Sequence, residues 1–344
     1  MTSEYVTLGH PDKTADYISE YILDEYMKRD PLTRYAVEVQ IKDNWVSLAG
    51  EVTSKDAITA GQRAEFVRDA IREIGYTAEY AGTWPEGAAL NADEVEVAEH
   101  MSQQSPDISQ GVDADGWGDQ GIFWGMAVDD DAHDCLPLDY WTARRIGDHL
   151  YERRFGGLDV KTQVTTENGK PVDCVVAVPI RPENEAVARK VIEHYARSVV
   201  GDKCRVTVNG TGRYVTHSSM GDCGTTGRKL AVDFYGGNCR VGGGSPWTKD
   251  PSKADLTLNV YARKLALDFV KAHKIPEARV QISCCIGQRR IAVDVYDARG
   301  NALDKYVEFR RPREIIAELG LDRACYKNLC KAGIAAWTYR RAKA

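Results

Sequence analysis

The spacing of apolar residues in the first third of the chain predicts a helix, two strands and a second helix. A helical pattern runs from about Thr14 to Lys28, with apolar residues recurring on one face. Two segments in which apolar and polar residues alternate come next, RYAVEVQIK and WVSLAGEV, and this pattern is typical of strands with one buried face. A helix from about Ala57 to Ile74 follows, and Gly75 is placed to end it.

The same order of elements recurs in the other two thirds. In the middle third, the predicted elements are a helix over Leu138 to Arg153, the strands KTQVTTE and VDCVVAVPI around an Asn168-Gly169 turn, and a helix over Ala186 to Val199. In the last third, they are a helix over Ala254 to His273, the strands RVQISCCI and RIAVDVYD, and a shorter helix over Arg313 to Leu319.

Tight hairpins between helices predict an α+β fold rather than a doubly wound parallel sheet, because parallel strands need long crossover connections. We expect three related sub-domains of mixed or antiparallel sheet with helices on one face. At 344 residues the chain is too long for one ordinary core. The expected sub-domains span residues 1–106, 113–216 and 218–344.

Composition narrows the classes of function. A net charge of -6 argues against a general nucleic-acid binder. The first residues lack the basic and apolar regions of a secretory signal, and no apolar run is long enough for a membrane span. Nine cysteines without C-x-x-C spacing indicate reduced thiols. We therefore expect a cytoplasmic protein with neither nucleic acid nor membrane as a partner.

Two loops of similar character precede equivalent helices. GHPDK lies before the first helix, and KDPSKAD lies before the helix that begins near Ala254. The N-terminus of a helix offers free N–H groups and a positive dipole end to phosphate. Lysine can neutralise phosphate and aspartate can hold Mg²⁺, so both loops suit a nucleotide polyphosphate. Either loop taken alone is better explained as a capped helix start with solvated charges.

Other glycine-rich loops add possible ligand contacts. MGDCGTTGRK and RVGGGSPWTKD let the backbone approach a ligand closely, although neither has P-loop spacing. QSPDISQGVD and GDQG frame a polar loop that is either a lid or an ordinary connector. No histidine pattern indicates a zinc hydrolase, and no serine has the context of a serine hydrolase.

Taken together, these loops resemble the signature motifs of the S-adenosylmethionine synthetase family. The matching segments, in the family's order, are TSEYVTLGHPDK, AGEVTS, QQSPDISQGVD, GDQGIFWGMA, DVKTQVT, MGDCGTTGRKLAVDFYGG and GGGSPWTKDPSKAD. The resemblance implies three α+β sub-domains around a pseudo-threefold axis. It also implies synthesis of S-adenosylmethionine, in which the sulfur of methionine attacks C5′ of ATP and expels triphosphate, which is then cleaved to pyrophosphate and phosphate.

The resemblance assigns ATP contacts to residues of the motif loops. The implied catalytic residues are His10, which would contact the oxygen leaving C5′, and Lys161, Arg228 and Lys249. The implied ATP and phosphate contacts are His10, Asp159, Lys161, Tyr214, Asp222, Arg228, Lys229, Lys249 and Lys253. Among these, Asp222 matches a ribose contact, and Tyr214 stands where the family usually has a phenylalanine that stacks on adenine.

The remaining implied roles concern methionine, metals and assembly. Glu51, Gln104 and Asp119 match methionine-binding positions. Asp12 and Asp255 are the implied Mg²⁺ ligands, with two ions per site, and Glu38 matches a K⁺ site. The family's active site lies between two subunits, so the resemblance implies a homodimer or a tetramer built from such dimers.

The sequence departs from the family pattern in three places. The segment between Asp113 and Gly118 is shorter than the family's lid, the C-terminal region ends early, and Trp247 is bulkier than the family residue before the phosphate-contacting lysine. We expect Trp247 to reshape the triphosphate end of the pocket. The shortened lid and altered C-terminus leave open an alternative function, a non-catalytic nucleotide-binding relative that regulates a partner.

Overall fold

The computed structural model describes residues 1–103 and 116–343. Within these ranges the strands are β1 (Thr2–Val6), β2 (Arg34–Lys42), β3 (Trp45–Thr53), β4 (Glu96–Ser102), β5 (Gly121–Val128), β6 (Lys161–Glu167), β7 (Lys170–Ala177), β8 (Arg205–Val208), β9 (Gly224–Thr225), β10 (Glu277–Cys284), β11 (Arg290–Tyr296) and β12 (Ala302–Phe309). The helices are α1 (Pro11–Met27), α2 (Ala60–Ile74), α3 (Ala78–Gly82), α4 (Leu138–Arg153), α5 (Glu185–Val200), α6 (Leu230–Asp233), α7 (Ala254–His273), α8 (Pro312–Leu319), α9 (Tyr326–Ala332) and α10 (Ile334–Lys343).

The described strands form three four-stranded sheets that share a plan. Their orders are β9-β2-β3-β4, β1-β6-β7-β8 and β5-β10-β11-β12. In each sheet a hairpin occupies the middle, and the strand on one side of it comes from a different third of the chain and pairs antiparallel. The strand on the far side pairs parallel in the first two sheets and antiparallel in the third. The expected α+β class, with related units of mixed or antiparallel sheet, is confirmed.

The predicted hairpins form as expected. β2 and β3 pair from Arg34 opposite Thr53 to Lys42 opposite Trp45, and β6 and β7 form around the Asn168-Gly169 turn. Both turn residues of that second hairpin have positive φ angles, 49° and 72°, as the common two-residue hairpin turn requires.

Two helices begin elsewhere than their apolar pattern indicates. α1 begins at Pro11, because the His10 side chain accepts a hydrogen bond from the Asp12 N–H and proline suits the first helical position. α2 begins at Ala60, because Thr59 and Gln62 form a capping box. The first three residues of the predicted second helix therefore lie outside it.

In the central hairpin of each sheet, one face is buried against helices and the other face is more exposed. In β2, Val37, Val39 and Ile41 are buried against α1, while Glu38 and Gln40 point the other way and are exposed. Each fully buried aliphatic side chain contributes roughly 1.5–3 kcal/mol to folding. The open faces are therefore where polar site residues can stand without disturbing the core.

Helix α1 is buried on nearly all sides, its polar residues included. Lys13, Asp16, Glu20 and Asp24 are each below 5% exposed and recur every three or four residues along the helix. Buried charges need partners. In this polar stripe, those of Lys13, Asp16 and Glu20 come from the motif segments that carry the predicted phosphate contacts, whereas Asp24 accepts hydrogen bonds from N–H groups at the start of α9. No helix in the described ranges is long and apolar enough to cross a membrane.

Candidate active site

The first cluster of charged residues surrounds the start of α1. The carboxylate of Asp12 is almost fully buried, and its Oδ1 accepts a hydrogen bond of 2.9 Å from the Thr225 N–H. The Lys229 ammonium lies 2.5 Å from Asp12 Oδ2, and the Arg228 Nε lies 3.5 Å from Oδ1. The glycine-rich loop MGDCGTTGRK is thus fixed on the first predicted phosphate loop, GHPDK.

This close approach depends on a glycine. A Cβ atom at Gly224 would lie 2.1 Å from the backbone oxygen of Pro11, so a larger residue would push the loop away from α1. The backbone of the loop can then reach Asp12, and the side chains of Arg228 and Lys229 follow.

His10 is held as a neutral donor in this cluster. Burial and the nearby Lys229 ammonium lower the pKa of His10 to about 4, against the opposing effect of Asp12. Its Nδ1 accepts the 3.2 Å hydrogen bond from the Asp12 N–H, so the hydrogen-bond pattern assigns the proton to Nε2. Burial by itself would raise the pKa of Asp12, but the hydrogen bonds from Lys229 and Thr225 lower it.

Asp159 and Tyr214 stand together beside this cluster. Asp159 is buried, accepts a 3.0 Å hydrogen bond from the Ser218 N–H, and has its pKa raised to about 6 by burial. The Tyr214 hydroxyl donates to the Asp159 backbone oxygen at 3.5 Å. These contacts place both residues next to the start of β6, in the β1-β6-β7-β8 sheet.

Lys161 and Asp222 are linked to the first cluster by their electrostatic effect on His10. Lys161 is half exposed at the start of β6 and pairs with Glu4 Oε2 at 3.0 Å. Both Lys161 and Asp222 contribute to the electrostatic field that sets the pKa of His10. Eight of the predicted ATP, catalytic and metal positions therefore gather in the first cluster: His10, Asp12, Asp159, Lys161, Tyr214, Asp222, Arg228 and Lys229.

A second cluster forms at the start of α7. Lys249 Nζ lies 2.5 Å from Asp255 Oδ2, and Lys253 is the residue that precedes the first turn of the helix. A Cβ at Gly244 would lie 2.1 Å from the same oxygen, so the glycine run lets the backbone lie against the carboxylate. The side chains of Lys249 and Asp255 are each about three-quarters buried.

Asp119 and Glu51 belong to the surroundings of this second cluster. The Cys284 thiol contacts the backbone oxygen of Asp119 at 3.3 Å. Burial, and then the nearby Asp119 and Asp255, raise the pKa of that thiol to about 12. Glu51 pairs across the sheet with Ala36, which forms a further bridge with Lys249. Gln104, the third predicted methionine contact, lies outside the described residues. The shortened segment after Asp113 is described only from residue 116 onward.

Glu38 lies between the two phosphate loops. One carboxylate oxygen accepts a hydrogen bond from the Thr226 hydroxyl, and the other accepts one of 3.1 Å from the Thr248 hydroxyl. No hydrogen bond or ion pair among the described residues joins a charged group of the first cluster directly to one of the second. A single subunit thus presents two separate sets of predicted site residues.

Sequence reasoning missed the residues that hold the loops in place. Asp16 accepts a 2.8 Å hydrogen bond from the Gly227 N–H, and Glu20 accepts one of 2.6 Å from the Thr248 N–H. The available signal was the run of polar residues at helical spacing inside an apolar helix. Trp247, which we expected to reshape the triphosphate end of the pocket, does not line a pocket with its side chain, which is fully buried and donates its indole N–H to Asp233.

The residues present fit the metals that the motifs imply. No group of three or more histidine, cysteine or acidic side chains in the described ranges forms a ready-made metal cage. Mg²⁺ bound to nucleotides needs only one or two carboxylates besides phosphate oxygens and water, and Asp12 and Asp255 each offer one, now paired with a lysine. The carboxylate and hydroxyl oxygens around Glu38 are hard donors suited to an alkali cation.

Comparison with known proteins places this geometry in one family of enzymes. Residues 1–106, 114–214 and 216–339 match the N-terminal, central and C-terminal domain models of S-adenosylmethionine synthetase. A solved structure, described as an unusual S-adenosylmethionine synthetase from Campylobacter jejuni, superposes with a TM-score of 0.86 at 30% identity, covering 98% of this chain and 96% of that one.

Curated sequences agree over nearly the whole length. The proteins named S-adenosylmethionine synthase from Helicobacter hepaticus and Wolinella succinogenes are 36% and 37% identical, and both alignments cover 97% of this chain and 92% of the relative. The one from Nitratidesulfovibrio vulgaris is 35% identical over 96% of this chain and 90% of the relative. The chain belongs to the S-adenosylmethionine synthetase family, and it is therefore an enzyme of the methionine adenosyltransferase class.

Proposed function

We propose that this chain makes S-adenosylmethionine from ATP and L-methionine by direct attack of the methionine sulfur on C5′. The observation that carries the proposal is the first cluster, in which a neutral imidazole, a buried carboxylate and two cationic side chains meet at the start of α1. Binding of ATP alone does not require a neutral hydrogen-bond donor such as His10 next to the cationic side chains of Arg228 and Lys229.

The reaction forms a sulfur–carbon bond as the bond between C5′ and its oxygen breaks. The sulfur lone pair makes the new bond and leaves a sulfonium cation, while the electrons of the broken bond stay on the oxygen of the triphosphate. A thioether is a weak nucleophile, so the rate depends on alignment of sulfur and carbon and on stabilisation of the departing oxygen. Water then adds to a phosphoanhydride of the triphosphate, giving pyrophosphate and phosphate.

The first cluster supplies groups for the leaving oxygen and the phosphates. The Nε2–H of His10 donates to the oxygen that leaves C5′, and Lys161, Arg228 and Lys229 contact the phosphate chain. Asp12 and Asp255 would hold Mg²⁺, which neutralises phosphate charge when bound, and Glu38 would hold K⁺. When the nucleotide enters, its phosphates compete for the lysines that now pair with those two carboxylates.

The nucleoside and the amino acid occupy opposite ends of the site in this proposal. In this proposal Asp159 and Tyr214, which contact each other, bind the adenosine, and Asp222 binds the ribose. Glu51 and Asp119 offer carboxylates to the methionine ammonium, together with Gln104. Lys249 and Lys253 complete the contacts to the triphosphate.

We further propose that the two clusters belong to different active sites of a homodimer. Glu38, Glu51 and Lys161 all lie on open faces of their sheets, where a second copy can cover them. In such a dimer the first cluster of one subunit, which contains His10, would face the second cluster of its partner, which contains Lys249. Each subunit would then contribute to two complete sites.

The test is a mass-spectrometric assay for S-adenosylmethionine on the purified chain with ATP, Mg²⁺ and K⁺, with and without methionine, alongside phosphate release. We expect product that requires methionine. Phosphate release without product would instead indicate a triphosphatase. Nucleotide binding without either product would support the alternative of a non-catalytic relative that regulates a partner.

A further inference from the structure

Trp247 lies at the centre of a buried polar network beneath the loop that presents Lys249. Its side chain is fully buried, and its indole N–H donates a 2.7 Å hydrogen bond to Asp233 Oδ2. The Lys13 ammonium stands 4.6 Å from the centre of the indole ring, within the range of a favourable cation–π contact. A tryptophan is therefore held here by both its ring and its N–H.

The network continues from Trp247 to the loop of the first cluster. Lys13 Nζ lies 2.5 Å from the other oxygen of Asp233 and 3.0 Å from Asp16 Oδ2. The second oxygen of Asp16 accepts the hydrogen bond from the Gly227 N–H. Burial by itself would lower the pKa of Lys13, but the two carboxylates outweigh it and hold that pKa well above its usual value.

The backbone next to Trp247 requires such an anchor. Thr248 has a φ of 73°, a conformation that β-branched residues rarely adopt and that persists only where the surroundings fix it. Its N–H donates to Glu20, and its carbonyl oxygen accepts a 3.1 Å hydrogen bond from the Val37 N–H. Trp247 fixes the chain on one side of this strained residue, and Lys249 follows on the other.

We propose that Trp247 is a positioning residue that sets the place of the Lys249 ammonium through the strained Thr248 backbone. The inference rests on the proposed function only in taking Lys249 as a triphosphate contact. It predicts that loss of the indole N–H displaces Lys249, although Trp247 itself touches neither substrate. A shift of about 1 Å in a charged contact can cost about a hundredfold in rate, and loss of one hydrogen bond beneath the loop should cost part of that.

The test compares Trp247→Phe with Trp337→Phe. The second variant makes the same chemical change at another largely buried tryptophan, in α10, whose ring also faces a cation, the Arg341 guanidinium at 4.9 Å. Binding of imidotriphosphate, a non-hydrolysable triphosphate, is measured by calorimetry with Mg²⁺, and kcat and KM are measured in the synthesis assay. We expect Trp247→Phe to weaken imidotriphosphate binding and to lower kcat/KM for ATP by about tenfold, with Trp337→Phe within about twofold of the natural chain.

A double-mutant cycle with Lys249→Ala separates positioning from a general loss of structure. If Trp247 acts through Lys249, Trp247→Phe should change imidotriphosphate affinity by less than about twofold once Lys249 is absent. An equal loss in both backgrounds, or no loss in either, would overturn the proposal. Because the binding readout does not need turnover, a natural chain that binds imidotriphosphate but makes no product would refute the proposed function and leave this inference standing.

Discussion

The sharpest prediction concerns His10, whose two ring nitrogens have separate roles in the proposed mechanism. Nδ1 caps α1 by accepting from the Asp12 N–H, and Nε2–H is free to donate to the leaving oxygen. His10→Asn keeps a side-chain acceptor at the cap, where asparagine is among the preferred residues, but loses the Nε2 donor. His10→Ala removes both, and the missing cap should cost a further ~1 kcal/mol of stability.

The expected magnitudes follow from these two roles. Removing one donor to a developing oxyanion costs about 10²–10³ in kcat, so both variants should turn over at least about a hundredfold more slowly. The thermal midpoint should stay within about 1 °C for His10→Asn and fall by about 2–4 °C for His10→Ala, the shift expected per kcal/mol in a large domain. The measurements are initial rates of S-adenosylmethionine formation at saturating ATP and thermal unfolding at pH 7.

Two results would refute this reasoning. If His10→Asn kept more than about a third of the natural kcat, the Nε2–H would not be the donor that the transition state uses. If both variants lost stability and activity in parallel, His10 would act through the position of α1 rather than through the leaving oxygen. Lys28→Ala, at an exposed position at the other end of α1, is the control and should change neither quantity.

Three further predictions test the assembly, the electrostatics and the phosphate contacts. Mixing the inactive variants His10→Ala and Lys249→Ala under conditions that exchange subunits should restore activity, since a mixed dimer holds one intact site; no recovery would contradict a shared site. Burial lowers the pKa of His217 to about 4 from 6.5, so between these pH values only the unfolded chain binds a proton at this residue. The free energy of unfolding should therefore fall by about 3 kcal/mol as the pH decreases through that range. Urea unfolding of His217→Gln should show a pH dependence smaller by that amount, and identical pH profiles of the variant and the natural chain would contradict the prediction. Lys161→Ala should slow turnover at least about tenfold with an unchanged thermal midpoint, because its pair with Glu4 is half exposed and stabilises little; an equal fall in midpoint and rate would make its role structural.

Local sequence rules located most of the helices and hairpins. The helices over residues 138–153 and 254–273 and the β2–β3 hairpin agree with the structure to within a residue. Their signals are periodicity and turn residues, which act over a few positions. The rules missed six of the described strands. β1, β5 and β9 each complete the sheet of a different third of the chain, and β4, β8 and β12 each lie at the outer side of a predicted hairpin. A strand stabilised by a distant hairpin need not have a distinctive pattern of its own.

The sequence by itself determined which loops match the motifs of the family and which of them suit phosphate. Glycine, lysine and aspartate before a helix suit phosphate wherever that helix stands, because the N–H groups of its first turn are always unpaired. Only the tertiary structure decided how these loops are grouped into two separate clusters of charged residues. It placed Arg228 and Lys229 on Asp12, set Lys249 on Asp255 in a separate cluster, and turned Trp247 into the core. The contact of Lys229 with Asp12, and the contact of Lys13 with Asp233 beside Trp247, join residues 217 and 220 positions apart. Such distant contacts are fixed only when the polar stripe of α1 is buried and each of its charges must find a partner.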